Sequence, residues 1–130
     1  MTVLAQGRTV DGERWALVRY TGPGDDIVVV EVCSWDGHPF WGTGCGLAEP
    51  PLPAPSVVTV GSDEAGPAVV LLQVRPDVRA AVLRLSDGTR EDLVLHPLPG
   101  RADRIAVLVH PRHLDVHRIE LYGADAALVG

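Results

Sequence analysis

Two cysteines and three aromatic side chains fall within one short stretch, Cys33-Ser-Trp-Asp-Gly-His-Pro-Phe-Trp-Gly-Thr-Gly-Cys45, and no other part of the chain gathers so many unusual residues. A reversal near Pro39 predicts a hairpin with Cys33 and Cys45 equidistant from its tip, at a separation compatible with an S–S bond. On chain-entropy grounds such a brace contributes about 3 kcal/mol. Two buried free thiols are the other reading. The spacing is too wide for a Cys-x-x-Cys redox pair, and no further thiols complete a zinc site. Between the cysteines, Trp35, Phe40 and Trp41 offer about 450 to 750 Å² of mostly apolar area. The largest patch on an ordinary monomer is about 300 to 600 Å², so the three do not all face water. Packing against the end of the fold accounts for some of them. The outward remainder, with Asp36 and His38 as polar points, is the candidate contact surface for a protein partner or a small apolar ligand.

The remaining chemistry-bearing sets lead to no site. His110-x-x-His113-x-x-x-His117 has the residue type of a metal centre. On a strand, however, His113 and His117 stand about 13 Å apart, and zinc needs each imidazole nitrogen at about 2.0 to 2.1 Å. His117 shares strand parity with Ile119 and Leu121, the position of a core or rim histidine. Asp36 with His38, and Asp115 with His113 or His117, are acid-base pairs of a kind that 17 acids and five histidines supply by chance. The chain has no Gly-x-Ser-x-Gly elbow and no Gly-rich phosphate loop before a helix. Asp25-Asp26 and Asp63-Glu64 sit in Gly-rich turns without the series of oxygens that calcium takes. No catalytic residue, metal or cofactor is therefore assigned.

The elements that must position the cysteine-aromatic stretch read as strands. Trp15–Tyr20, Ile27–Cys33, Val57–Val60, Ala68–Arg75, Ala80–Leu85, Glu91–Leu95, Ile105–Val109 and Val116–Tyr122 are short and rich in β-branched or apolar residues. Between them lie Gly22-Pro-Gly-Asp-Asp26, Ser86-Asp-Gly88, Pro97-Leu-Pro-Gly100 and similar turn sequences. Ala80 to Leu95 is the clearest hairpin, reversing over Ser86–Thr89, with Leu93 and Leu95 returning on the core side. Leu47–Ser56 carries four prolines, which remove donors and hold an extended path, so it connects strands instead of joining a sheet. With no amphipathic helix between the strands, the expectation is one all-β domain over residues 1–130. Its form is an antiparallel two-sheet β-sandwich of about eight to ten strands, a closed β-barrel being the alternative.

Composition narrows the partners. The formal net charge is −6, and all 11 basic residues are arginine. Nine of the 17 acids lie in residues 1–65 against three arginines, while the second half is balanced. That charge argues against nucleic acid and against a strongly anionic membrane surface. No apolar run approaches the roughly 18 residues of a membrane span. The N-terminus lacks the basic start and apolar stretch of a secretory signal, so the expected location is cytoplasmic, or extracytoplasmic if this is part of a longer chain.

A Gly7-x-x-Val-Asp-Gly-x-x-Trp15 opening precedes a strand ending in Cys33 and then Gly42-Thr-Gly-Cys-Gly46. Arg75-Pro-Asp-Val-Arg79, Val82-Leu-Arg-Leu-Ser-Asp-Gly88 and Arg118-Ile-Glu-Leu-Tyr-Gly-Ala-Asp125 follow. This order resembles a group of small β-sandwich domains, mostly of unknown function, common in high-GC Gram-positive bacteria. The resemblance implies a scaffold, a tendency for the two cysteines to pair, and no catalytic residue. The functional expectation is a non-catalytic binding module that contacts its protein or ligand through residues 34–44. Its rivals are a small β-barrel enzyme of the cyclase or isomerase type and a structural subunit of a larger assembly.

Overall fold

β-branched and leucine-rich runs, closed off by glycine, proline and aspartate, give eleven strands among the described residues of the computed structural model. The structure describes residues 1–33, 41–62, 67–110 and 115–130, with Trp41 and Ser62 described through their backbone. β1 (Thr2–Arg8), β2 (Arg14–Gly22), β3 (Asp25–Cys33) and β4 (Trp41–Gly46) form one sheet in that order. A second sheet has the order β5 (Ser56–Ser62), β6 (Ala68–Val74), β10 (Arg104–His110), β9 (His96–Pro97). β11 (Val116–Tyr122), β7 (Ala80–Leu85) and β8 (Arg90–Leu93) make the third. All three are antiparallel, no helix occurs among the described residues, and no sheet closes into a barrel. The fold is all-β, consistent with the sandwich expectation, while the barrel alternative falls away.

The division into a third sheet has a local cause. Pro76 has no N–H to give to a ladder, and the reversal closed by the Val78 N–H donating to the Arg75 carbonyl at 3.1 Å ends β6. β7 then pairs with β11 on one side and β8 on the other. The hairpin expected over Ala80–Leu95 forms, with Gly88 at φ 88° completing its turn. Leu93 sits opposite Ala81, and β8 ends there. Leu95 packs against the core from beyond the strand.

The chain forms two compact units. One carries β1–β4, the other β7, β8, β9 and β11, while β5, β6 and β10 give residues to both. In the first, parity decides burial: Val28, Val30 and Val32 of β3 are buried, and Leu17 of β2, paired with Val30, is fully so. Pro23 and Gly24, the latter at φ 78°, reverse β2 into β3. In the second, Leu72, Val74, Val78, Ala81, Ala106 and Leu121 form the core cluster. Every residue of β6 is buried, as a strand covered on both faces requires.

Candidate functional site

The register of β3 against β4 decides the cysteine question. Val32 faces Trp41, Val30 faces Thr43 and Val28 faces Cys45. Cys33 therefore stands five residues beyond the partner of Cys45 on β3, about 17 Å away along the strand. Strand alternation also puts them on opposite faces of the sheet, because Cys45 shares a face with Val28 and Cys33 does not. Both are free thiols, and the expected disulfide is corrected accordingly: a bridge needs Cα atoms within about 7 Å. The expectation placed the reversal near Pro39, and the observed pairing does not follow that register. Of the other candidate residues, Trp35, Asp36, His38 and Phe40 lie outside the described residues, and Trp41 enters as the first residue of β4.

Among the described residues β4 is the outer strand of its sheet and pairs with β3 alone. Gly42, Gly44 and Gly46 are exposed and share the face opposite to that of Thr43 and Cys45. At Gly44 the absence of a side chain is required: a Cβ would lie 2.5 Å from the Val28 carbonyl oxygen and 3.0 Å from Cγ2 of Val29. On the other face, a Cβ on Gly61 of β5 would meet Thr43 Oγ1 at 2.5 Å, so β5 packs closely on β4 there. The sequence of β4 holds no charged residue, no proline and no bulge. The opposite edge, β1, carries Arg8 and a bulge between Val3 and Ala5. β8 holds Arg90, Glu91 and Asp92, β11 holds Arg118 and Glu120, and β9 holds Pro97. Charges, prolines and bulges are the usual means of keeping a foreign strand off an edge. β4 lacks all of them; β5, whose Val60 is 56% exposed, likewise holds no charged residue and no proline.

A second feature lies in the other unit. Pro50, Pro51, Leu52, Arg75, Pro76, Ala102 and Asp103 line a concavity of about 380 Å³. The Pro50–Pro51 peptide is cis. Beneath this wall is a buried polar knot. Gln73, the one polar residue of β6, accepts from the Ala48 N–H and donates to the Ala48 carbonyl, both at 3.0 Å. Its Nε2 also donates to Asp103 at 2.6 Å. Arg101 meets the same carboxylate through Nε at 2.8 Å and Nη2 at 2.9 Å, and Nη2 donates to the Ala48 carbonyl as well. Burial alone would raise the Asp103 carboxyl, but the bonds from Arg101 and Gln73, with the Arg101 charge, outweigh it and hold it below the ordinary carboxylate range. The start of the proline connector is thus pinned at Ala48 by two side chains, Gln73 and Arg101, which Asp103 ties together, and its end by the Arg75 N–H donating to the Pro55 carbonyl at 3.0 Å.

Other ionised groups are held in pairs of their own. Arg19, 8% exposed, forms a fork with Asp26 at 2.8 Å through Nε and through Nη2. Glu120 accepts from Arg84 at 3.0 Å and Arg118 at 2.6 Å, and the Arg84 bond leads the lowering of its carboxyl pKa. Tyr20 donates its hydroxyl proton to Glu31 at 3.0 Å, which holds the phenol protonated to higher pH. His96 is pushed down by burial. Among the described residues no group of three His, Cys, Asp or Glu side chains is placed to hold a metal ion; His113 lies outside them. No helix among those residues is long and apolar enough to cross a membrane.

Sequence reasoning passed over both the knot and the recess, yet a signal existed. Arg75-x-Asp77, Arg90-x-Asp92, Arg101-x-Asp103 and Arg118-x-Glu120 repeat one spacing, and on an extended chain residues i and i+2 share a face. All four are ion pairs in the structure. The lone Gln73 within an apolar run was the second signal. No family model matches the chain, and neither a curated protein nor a solved structure matches it significantly.

Proposed function

We propose that this chain is a non-catalytic interaction module that takes an extended segment of a protein partner as an added strand along β4. Residues 34–44, with Trp35, Asp36, His38, Phe40 and Trp41, give the contact chemistry where that strand begins. The observation that carries the reading is the unguarded β4 edge, uncharged and with glycine at each outward position from 42 to 46, in a sheet whose other edge is guarded. Strand addition draws affinity from main-chain hydrogen bonds and specificity from alternate side chains. The exposed glycines leave room for large apolar side chains of the incoming strand to cover them. The rival enzyme reading required a closed barrel to hold its substrate, and no sheet closes among the described residues.

Gly46 offers a clean test. A Cβ there meets nothing within 4 Å, so Gly46→Lys places a charge on the edge without disturbing the sheet. Peptides selected from a displayed library of extended sequences are expected to protect the 42–46 amides from hydrogen exchange. They should bind Gly46→Lys at least tenfold more weakly, and lose affinity with Trp35→Ala or Phe40→Ala. Peptides that bind Gly46→Lys as well as wild type, or that protect other strands, refute the reading. A wild-type dimer in sedimentation equilibrium that Gly46→Lys turns into a monomer replaces the foreign partner with a second copy of the chain.

A further inference from the structure

We propose that the proline-walled concavity is a binding site for a compact aromatic acid, one or two fused rings bearing a carboxylate. This goes beyond the strand-pairing reading and rests on different residues. The volume of about 380 Å³ falls within the range of small-molecule sites. Its walls are the rings of Pro50, Pro51 and Pro76 with Leu52 and Ala102. Proline rings are rigid and their nitrogens have no hydrogen to donate, so these walls present flat C–H surface suited to a planar apolar body.

The wall is also preformed. The knot of Gln73, Arg101 and Asp103 holds Ala48 at one end of the connector, and the Arg75 N–H holds Pro55 at the other. A ligand entering it has little chain to order, which favours binding by a small molecule.

The polar end of the site is Arg75. Asp103 also lines the concavity, but its carboxylate is 2% exposed and already takes three hydrogen bonds. The Arg75 side chain is 37% exposed. It meets Asp77 through Nε at 3.0 Å and Nη2 at 2.9 Å, two of the five N–H donors of a guanidinium. Donors remain for an acceptor on the ligand. Nearby, Arg104 donates to the carbonyls of Pro76 and Val78. Arg75 is the one cation among the residues that line the concavity. An anionic acceptor complements its remaining donors.

The test is a two-dimensional NMR titration of the full chain with 2-naphthoate and, separately, with the neutral 2-naphthamide. Saturable shifts are expected at the Leu52, Arg75, Ala102 and Asp103 amides, with the acid bound about fivefold more tightly than the amide, the range of one exposed ion pair. Arg75→Gln, which breaks only an exposed pair, should bring the acid down to the affinity of the amide and leave the amide unchanged. Ala102→Phe, at an exposed wall position, should block both probes while the rest of the spectrum keeps its dispersion. Shifts that never saturate, that centre elsewhere, or that survive Ala102→Phe overturn the site. Equal affinities of wild type for acid and amide overturn the role of Arg75 and with it the ligand class.

Discussion

Removing the Asp103 carboxylate tests the buried knot that anchors the proline connector. In Asp103→Ala the Arg101 guanidinium, on a side chain only 12% exposed, loses both of its bonds to the carboxylate, and Gln73 Nε2 keeps only its bond to Ala48. Leaving a buried charge without its partner costs about 3 to 5 kcal/mol, a large share of the roughly 5 to 15 kcal/mol that holds a domain together. With a urea slope of about 1 to 3 kcal/mol per molar, the unfolding midpoint should fall by more than ~1 M. The double replacement Arg101→Met with Asp103→Leu should recover most of the loss, because no charge is then left unpaired. Acid adds a second readout. The folded carboxyl pKa lies below its unfolded value, so its contribution is present above about pH 4 and is lost as pH falls through the folded pKa. Wild type should therefore lose more stability than the double variant as pH drops below about 4. An Asp103→Ala protein within about 1 kcal/mol of wild type, or a double variant no better than the single, refutes the argument.

Three further outcomes follow from other parts of the molecule. Gly61→Ala drives a Cβ to 2.8 Å from Cβ of Thr43 and 2.5 Å from its Oγ1. Overpacking of this kind costs about 1 to 3 kcal/mol, and Thr43→Gly in the same chain should relieve it, so simple additivity in urea melts would disprove the close approach of β5 to β4. Cys33 and Cys45 should both alkylate in denaturant without reductant, as read by intact mass; an unlabelled, bridged species would contradict the β3–β4 register. His96 is depressed by burial, so the unfolded chain takes up its proton first and stability declines as pH falls through about 6.5. His96→Gln should flatten that decline, and an unchanged pH profile would show that His96 does not cause it.

What was legible in the sequence divides along the range over which each signal acts. Ala80–Leu85 and Val116–Tyr122 form strands with the bounds that composition implied, since β-branched and leucine content is a local property. β1 went unread because its bulge between Val3 and Ala5 shifts the alternation midway, so that no single parity runs through Thr2–Arg8. The cysteine pairing failed for a related reason. Symmetry about Pro39 is one register among several, and the alternative that turns Thr43 and Cys45 to the face of the buried Val28 and Val30 is set by burial across strands, which no spacing within residues 33–45 contains. The same distinction separates the two sites. An unguarded edge can be found from sequence only after the strand order is known, because glycine and threonine in β4 acquire meaning from being outermost. The proline recess needs still more, the juxtaposition of residues 50–52, 75–76 and 102–103, which the Arg-x-Asp spacing and the lone Gln73 hint at but do not bring together. Local chemistry made the knot possible, and packing placed it beneath the recess.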